Sequence, residues 1–289
     1  MSKIYLTKFN LVSERNETAF ITNLKETCYN TVYPYNIFPI KEISEIKFEP
    51  ITIFYGGNGS GKTTLLNIIA EKIGLSRHSV FNSSAFFDSY VSNCQVEIEG
   101  ILTNRQMLTS DDVFDFLLNI RHLNYGIDMK REEIFNEYYT NKESTQKLRS
   151  LDDYDEYKKS YEAKTKTKSK FIKERLAKNV NTGSNGESAI KYFMNRIEDN
   201  GLYLLDEPEN SLSISAQLEL KNFLEDSARF FGCQFVLATH SPILLSMKNA
   251  KIYDLDSTPV VTKKWTELEN VKKYFDFFET HRLEFYQDK

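Results

Sequence analysis

Eight residues, Gly56-Gly57-Asn58-Gly59-Ser60-Gly61-Lys62-Thr63, restrict what this chain can fold into more than any other feature. They follow a continuous apolar run, Ile51-Thr-Ile-Phe-Tyr55, the pattern of a strand buried on both faces. They precede Leu65, Leu66, Ile69 and Ile73, spaced for a helix that Gly74 stops. Strand, loop and helix in that order satisfy G-x-x-x-x-G-K-[ST] in its required context. The glycines at 56, 57, 59 and 61 let the backbone turn tightly, so that successive N–H groups point inward as an anion nest. The helix starting near Lys62 aims its positive end at the same place. A nest of this kind takes polyphosphate: Lys62 neutralises the β- and γ-phosphates of ATP, the Thr63 hydroxyl ligates Mg2+, and Thr64 adds a donor.

The second half of the chain supplies the complementary groups. Leu202-Tyr-Leu-Leu-Asp206-Glu207 is an apolar strand ending in two carboxylates. Asp206 is expected to hold Mg2+, usually through water, and Glu207 to polarise the water that attacks the γ-phosphate. On its own this pattern is common at surface turns; beside a phosphate loop it becomes specific. A helix with Leu220, Phe223, Leu224, Ala228 and Phe231 on one stripe then runs to Gly232, and the strand Gln234–Thr239 follows. Strand–helix–strand with buried strands predicts a parallel sheet with right-handed crossovers. Ligands bind beyond the carboxyl ends of such strands, which puts His240 on one edge with Lys62 and Asp206, able to bond the γ-phosphate.

The remainder reads more loosely. Ile4-Tyr-Leu, Phe20-Ile-Thr and Glu45-Ile-Lys-Phe are short β-like runs, and residues 75–105 look mainly β. Thr109-Ser-Asp-Asp112 fits a capping box for a helix carrying Val113, Phe116, Leu117 and Ile120. Residues 121–180 are polar and read as an inserted arm, helical in pieces. Lys158 to Lys178 holds nine Lys and Arg against two Glu; Lys164, Lys166, Lys168 and Lys170 would line one face of an extended segment and could meet nucleic-acid phosphates, a solvated insert being the blander reading. Val271, Tyr274, Phe275 and Phe278 suggest a last amphipathic helix packed on the core. A net charge of −4 argues against a globally basic nucleic-acid binder. Cys28, Cys94 and Cys233 match neither a zinc spacing nor a disulfide framework. The chain shows no run long enough to span a membrane and no secretory leader, and a cytoplasmic location is expected.

Taken together the segments resemble the ATP-binding-cassette class of P-loop ATPase, and more closely its soluble, SMC-like branch, often described simply as AAA-family ATPases. Asp206-Glu-Pro-Glu-Asn-Ser-Leu-Ser213 resembles that branch's Walker B and D-loop, Thr239-His-Ser-Pro-Ile-Leu244 its switch-histidine segment, and Gly183-Ser-Asn-Gly-Glu187 its signature loop. The resemblance implies an α/β fold: a P-loop NTPase with a mostly parallel sheet, an N-terminal antiparallel β lobe and a helical insertion, like an ATP-binding-cassette head. The expected organisation is a first half over 1–112, an inserted arm over 113–182, and the second half of the same ATPase domain over 183–289. It also implies a homodimer in which Ser184 and Gly186 of one copy cap the ATP held by the other, an effector protein driven by it, and roles in DNA transactions or antiphage defence. A magnesium-linked glutamine is expected from Gln106, with Gln95 the alternative, and an adenine-stacking ring from Tyr33, Tyr35 or Phe38. The nucleotide-binding subunit of a transporter, or an ATP-gated switch with little turnover, are the competing readings.

Overall fold

The structure, a computed structural model, describes residues 3–25, 28–144, 154–180 and 185–286. In chain order its elements are β1 (Leu6–Asn10), α1 (Glu14–Asn23), β2 (Glu45–Lys47), β3 (Ile51–Tyr55), α2 (Lys62–Ile73), α3 (Phe87–Asn93), β4 (Gln95–Ile98) and β5 (Asn104–Thr109). Then come α4 (Ser110–Glu143), α5 (Tyr154–Thr165), α6 (Lys168–Lys173), α7 (Asn185–Arg196), β6 (Gly201–Asp206), α8 (Ile214–Phe230) and β7 (Gln234–Ala238). The chain closes with α9 (Pro242–Leu245), β8 (Lys251–Asp254), β9 (Val261–Lys263) and α10 (Glu269–Thr280). Two compact units form: one runs to Val113 and resumes at Asn185, and the other begins at Phe114.

The first unit is built on a six-stranded sheet of order β5-β6-β7-β3-β8-β9, parallel except for the β8–β9 pair, and on a three-stranded antiparallel sheet of order β2-β1-β4. The fold is therefore the expected α/β architecture. Every residue of β3, β6 and β7 is buried, because helices or the second sheet cover both faces of a parallel sheet. The buried amide of Gln234 stitches the two sheets: its Oε1 accepts the N–H groups of Tyr5 and Leu6, each at 2.8 Å, and its Nε2 donates to the Leu6 carbonyl at 2.8 Å. Register does the functional positioning. Ala238 of β7 pairs with Phe54 of β3 on one side and with Asp206 of β6 on the other, so the three strands end on one level.

Four expectations need correction. Phe20-Ile-Thr lies in α1, not in a strand; Ser13 caps that helix by accepting from the Asn16 N–H, and Phe20 stacks on Tyr35 with ring centroids 4.3 Å apart. Residues 75–105 are not mainly β, because Phe87, Tyr90 and Val91 bury one face of α3 at helical spacing. The last helix does not pack its aromatics into the core: Tyr274, Phe275 and Phe278 are each more than half exposed, and Val271 is its one buried residue. The lysines from 164 to 170 form no extended ladder, since α5 ends at Thr165 and Thr167 caps α6 by accepting from the Lys170 N–H. The capping box at Thr109 is present: the Asp112 carboxylate accepts the Thr109 N–H at 2.8 Å, and the Asp112 N–H returns to the Thr109 hydroxyl at 3.2 Å.

The second unit has a small core of its own, Ile134, Tyr138, Ala163, Phe171 and Ile172. Phe171 meets Tyr138 edge-on at 5.3 Å, and the Arg175 guanidinium lies 3.5 Å over its ring. Many of its cations are spent on neighbouring carboxylates. Lys166 pairs with Glu162 and Glu174, Arg175 with Glu162, and Lys159 with Glu137.

Candidate active site

The phosphate loop begins where β3 ends. Gly59 and Gly61 have φ of 77° and 93°, a region that side chains rarely enter, and Gly61 is the residue that turns the loop into α2. At Gly56 a Cβ would fall 2.5 Å from the Ser60 Oγ, so only glycine lets the loop close this tightly. Lys62 is 4 % exposed and donates to the main-chain carbonyls of Gly56 at 2.8 Å and Gly57 at 3.0 Å. Its ammonium is thus folded over the loop.

The Walker B strand meets it from the side. The Thr63 hydroxyl donates to Asp206 Oδ1 at 3.0 Å, although 143 residues separate the two. Asp206 is buried, and burial pushes its carboxyl up to about 7; Glu207 and Glu209 push the same way, against the Thr63 hydrogen bond and the Lys62 charge. Glu207 follows in a left-handed backbone conformation, φ 46° and ψ 51°, which costs about 1–3 kcal/mol for a non-glycine residue. The turn is held by its own N–H donating to the Ala238 carbonyl at 2.9 Å, and Asn210 Nδ2 donates to Glu207 Oε2 at 2.9 Å. The result aims Glu207 Oε1 to within 3.7 Å of the Lys62 ammonium.

His240 lies just past β7. The Thr239 N–H donates to the Phe54 carbonyl at 3.2 Å, which keeps this loop against the end of β3, and the imidazole is about half exposed. So the structure brings Lys62, Thr63, Asp206, Glu207 and His240 to one edge of the sheet. Thr64 is also there, but its hydroxyl accepts from the Tyr33 hydroxyl at 3.2 Å. Of the three aromatic candidates, Tyr35 and Phe38 are enclosed in the core and Tyr33 keeps part of its ring exposed.

Other expected residues lie elsewhere. Gln106 pairs with Tyr203 in mid-strand, whereas the β5 residue level with Asp206 is Thr109. Three residues of strand is about 10 Å, so Gln106 is set back from the edge. Gln95 is on β4, in the antiparallel sheet, opposite Asn10. Gly186, in the first turn of α7, lies against the cap of α8: a Cβ there would lie 3.6 Å from the Ser213 main-chain nitrogen. Gly183 and Ser184 fall outside the described residues.

Two residues escaped the sequence reading. Asp256 accepts the Gly57 N–H with both carboxylate oxygens, at 2.9 and 3.1 Å, bracing the loop from the β8 side. Glu209 is buried beneath the His240 loop and bonds it at several points. Neither has a local signature, because each acts on a partner 30 or more residues away in sequence.

The donor set suits magnesium and a triphosphate. Thr63 and Asp206 offer hard oxygen ligands already in contact, and the Ser60 hydroxyl is buried with no hydrogen-bond partner among the described residues. No group of three His, Cys, Asp or Glu among the described residues could hold a metal by itself, which leaves the other positions to phosphate oxygens and water.

Residues 51–191 match the family described as "AAA domain, putative AbiEii toxin, Type IV TA system". No curated protein matches the chain. Among solved structures, an inward-facing "putative metal-chelate type ABC transporter" is 17 % identical, covers 78 % of each chain and has a TM-score of 0.36. An Smc head domain with an extended coiled coil, bound to the C-terminal domain of ScpA and derived from Pyrococcus furiosus, is 13 % identical over 96 % of this chain and 99 % of that one, at a TM-score of 0.36. An Smc head bound to the C-winged helix domain of ScpA is 15 % identical over 93 % and 100 %, at 0.42.

Proposed function

We propose that the chain is a P-loop ATPase of the ABC and SMC-like class, which binds Mg-ATP at the edge formed by β3, β6 and β7, hydrolyses it, and dimerises through it. One observation carries the reading: Lys62, Thr63, Asp206 and Glu207, drawn from two distant segments, form a single contiguous cluster. The loop amides of Asn58, Gly59 and Gly61 to Thr64 receive the phosphates, and Lys62 exchanges its carbonyl partners for β- and γ-oxygens. Thr63 and Asp206 hold magnesium, which when bound neutralises phosphate charge. Glu207 orients and polarises the attacking water, and His240 donates to the γ-phosphate from the neighbouring strand.

Dimerisation is supported by the position of Gly186 beside Ser213, with Ile214 and Leu218 exposed one turn apart at the start of α8. That face would be covered when a second copy caps the nucleotide, and hydrolysis would release the pair to drive an effector protein. The Glu207→Gln variant tests this: it should bind Mg-ATP and elute as a dimer in size-exclusion chromatography. A strictly monomeric variant at saturating Mg-ATP would overturn the sandwich.

Contact with nucleic acid is a second reading, in line with a role in DNA transactions. It is favoured by a groove of about 560 Å³ in the inserted unit, lined by Arg131, Lys168, Lys173 and Lys178 beside Phe135. Lys173 and Lys178 have no carboxylate within ion-pair distance among the described residues. Fluorescence anisotropy with single-stranded DNA should show binding that weakens steeply with salt and is lost in Lys173→Glu/Lys178→Glu; salt-independent or unchanged binding would refute it.

A further inference from the structure

Glu209 sits two residues beyond Glu207, in the short 3-10 turn Pro208–Ser211, and is only 6 % exposed. Burying a carboxylate is expensive unless donors surround it. Among the described residues, every donor its carboxylate meets comes from one place, the loop after β7. Glu209 Oε1 accepts the Thr239 hydroxyl at 2.6 Å, the His240 N–H at 2.9 Å and the Ser241 N–H at 3.3 Å. The same oxygen stands 3.4 Å from Nδ1 of the His240 ring. Its Oε2 is buried with no hydrogen-bond partner among the described residues. Glu209 is thus buried for the sake of the histidine loop, not of its own turn.

We propose that Glu209 is the positioning residue of His240, fixing the imidazole against the turn that carries Glu207; the proposal rests on the ATPase reading of this edge. The main chain makes the upper stitch, Glu207 N–H to Ala238 carbonyl, and the Glu209 carboxylate makes the lower one. Between them the two strand ends cannot slide. The carboxylate oxygen 3.4 Å from Nδ1 also restrains that edge of the ring, leaving Nε2 as the other working atom. The far side of the loop is tied separately: the Ser241 hydroxyl donates to Gln217 Oε1 at 2.7 Å, and Gln217 Nε2 donates to the Leu212 carbonyl at 3.1 Å. Ser213, next in sequence, is the residue against which Gly186 packs. The histidine loop therefore hangs between the Walker B turn, through Glu209, and the start of α8, through Gln217.

Displacing a catalytic group by about 1 Å can cost on the order of 100-fold in rate. Glu209→Ala should accordingly lower kcat by roughly 30- to 100-fold while the KM for ATP stays within about threefold, since the phosphate loop is untouched. Glu209→Gln keeps an oxygen acceptor without the charge and should retain much of the lost rate. In a His240→Ala background, Glu209→Ala should cost at most a few-fold more, because the residue it positions is gone. Thermal melts verify folding, and if Glu209→Ala fails to fold, the ring signals of His240 in Glu209→Gln decide. Wild-type turnover in Glu209→Ala, or losses that multiply with those of His240→Ala, would overturn the proposal. The 15N signals of the His240 ring, assigned with His240→Ala, read the same contact without turnover. They should move in Glu209→Gln; an unchanged ring would refute the assignment even in a protein that proved not to hydrolyse ATP, whereas absent wild-type turnover with a moved ring would count against the ATPase reading alone.

Discussion

The proposed nucleotide edge and the inserted unit are built by opposite means. The edge stands on three fully buried strands whose ends are matched in register, with a left-handed Glu207 and two left-handed glycines held in place by that frame. Among the described residues, the insert stands on five buried apolar side chains and a surface of paired charges. Exposed ion pairs contribute little each and are weakened by salt. A change at the edge should therefore act on chemistry with little effect on folding, and a change in the insert should act on local folding with little effect on chemistry.

The sharpest challenge to that contrast is Lys62→Ala. Removing a buried ammonium that faces polyphosphate should weaken ATP binding by at least about 30-fold, read by titration with a fluorescent ATP analogue, while the melting temperature changes little. Unchanged affinity would contradict the phosphate-loop assignment. Phe171→Ala comes next. Truncating a buried phenylalanine costs about 3–5 kcal/mol, more than so small a core can absorb. Amides of residues 114–144 and 154–180 should lose hydrogen-exchange protection, while ATP affinity stays within about threefold; an equal loss of ATP binding would show that the two regions are one folding unit. The smallest effect belongs to Phe278→Ser on α10. Its ring is 54 % exposed, so the melt of the isolated protein should move by no more than about 0.5 kcal/mol equivalent. A large destabilisation would mean that this face is packed after all.

How much of this was legible depended on whether the determining contacts are local. The loop from Gly56 to Thr63 could be read because Gly59 and Gly61 answer to their own left-handed backbone conformations, and the flanking strand and helix carry their own periodicity. The same holds for the apolar strand into Asp206 and for the capping box at Thr109. Gln106 could not be placed, because its depth in β5 is set by pairing with β6, about a hundred residues later. Glu209 and Asp256 were invisible for the same reason: their partners lie across the sheet edge. At α10 the stripe of aromatics was read correctly as a face, but periodicity states only that a face exists, not that anything covers it.

The central claim is that Lys62, Asp206 and Glu207 form one hydrolytic site, and phosphate release from ATP tests it most directly. With Mg2+ present the wild type should turn over, chelation of the metal should stop it, and Glu207→Gln should be slower by roughly 100- to 10,000-fold at undiminished ATP affinity. Turnover in Glu207→Gln equal to the wild type, or hydrolysis that persists without divalent metal, would contradict the account.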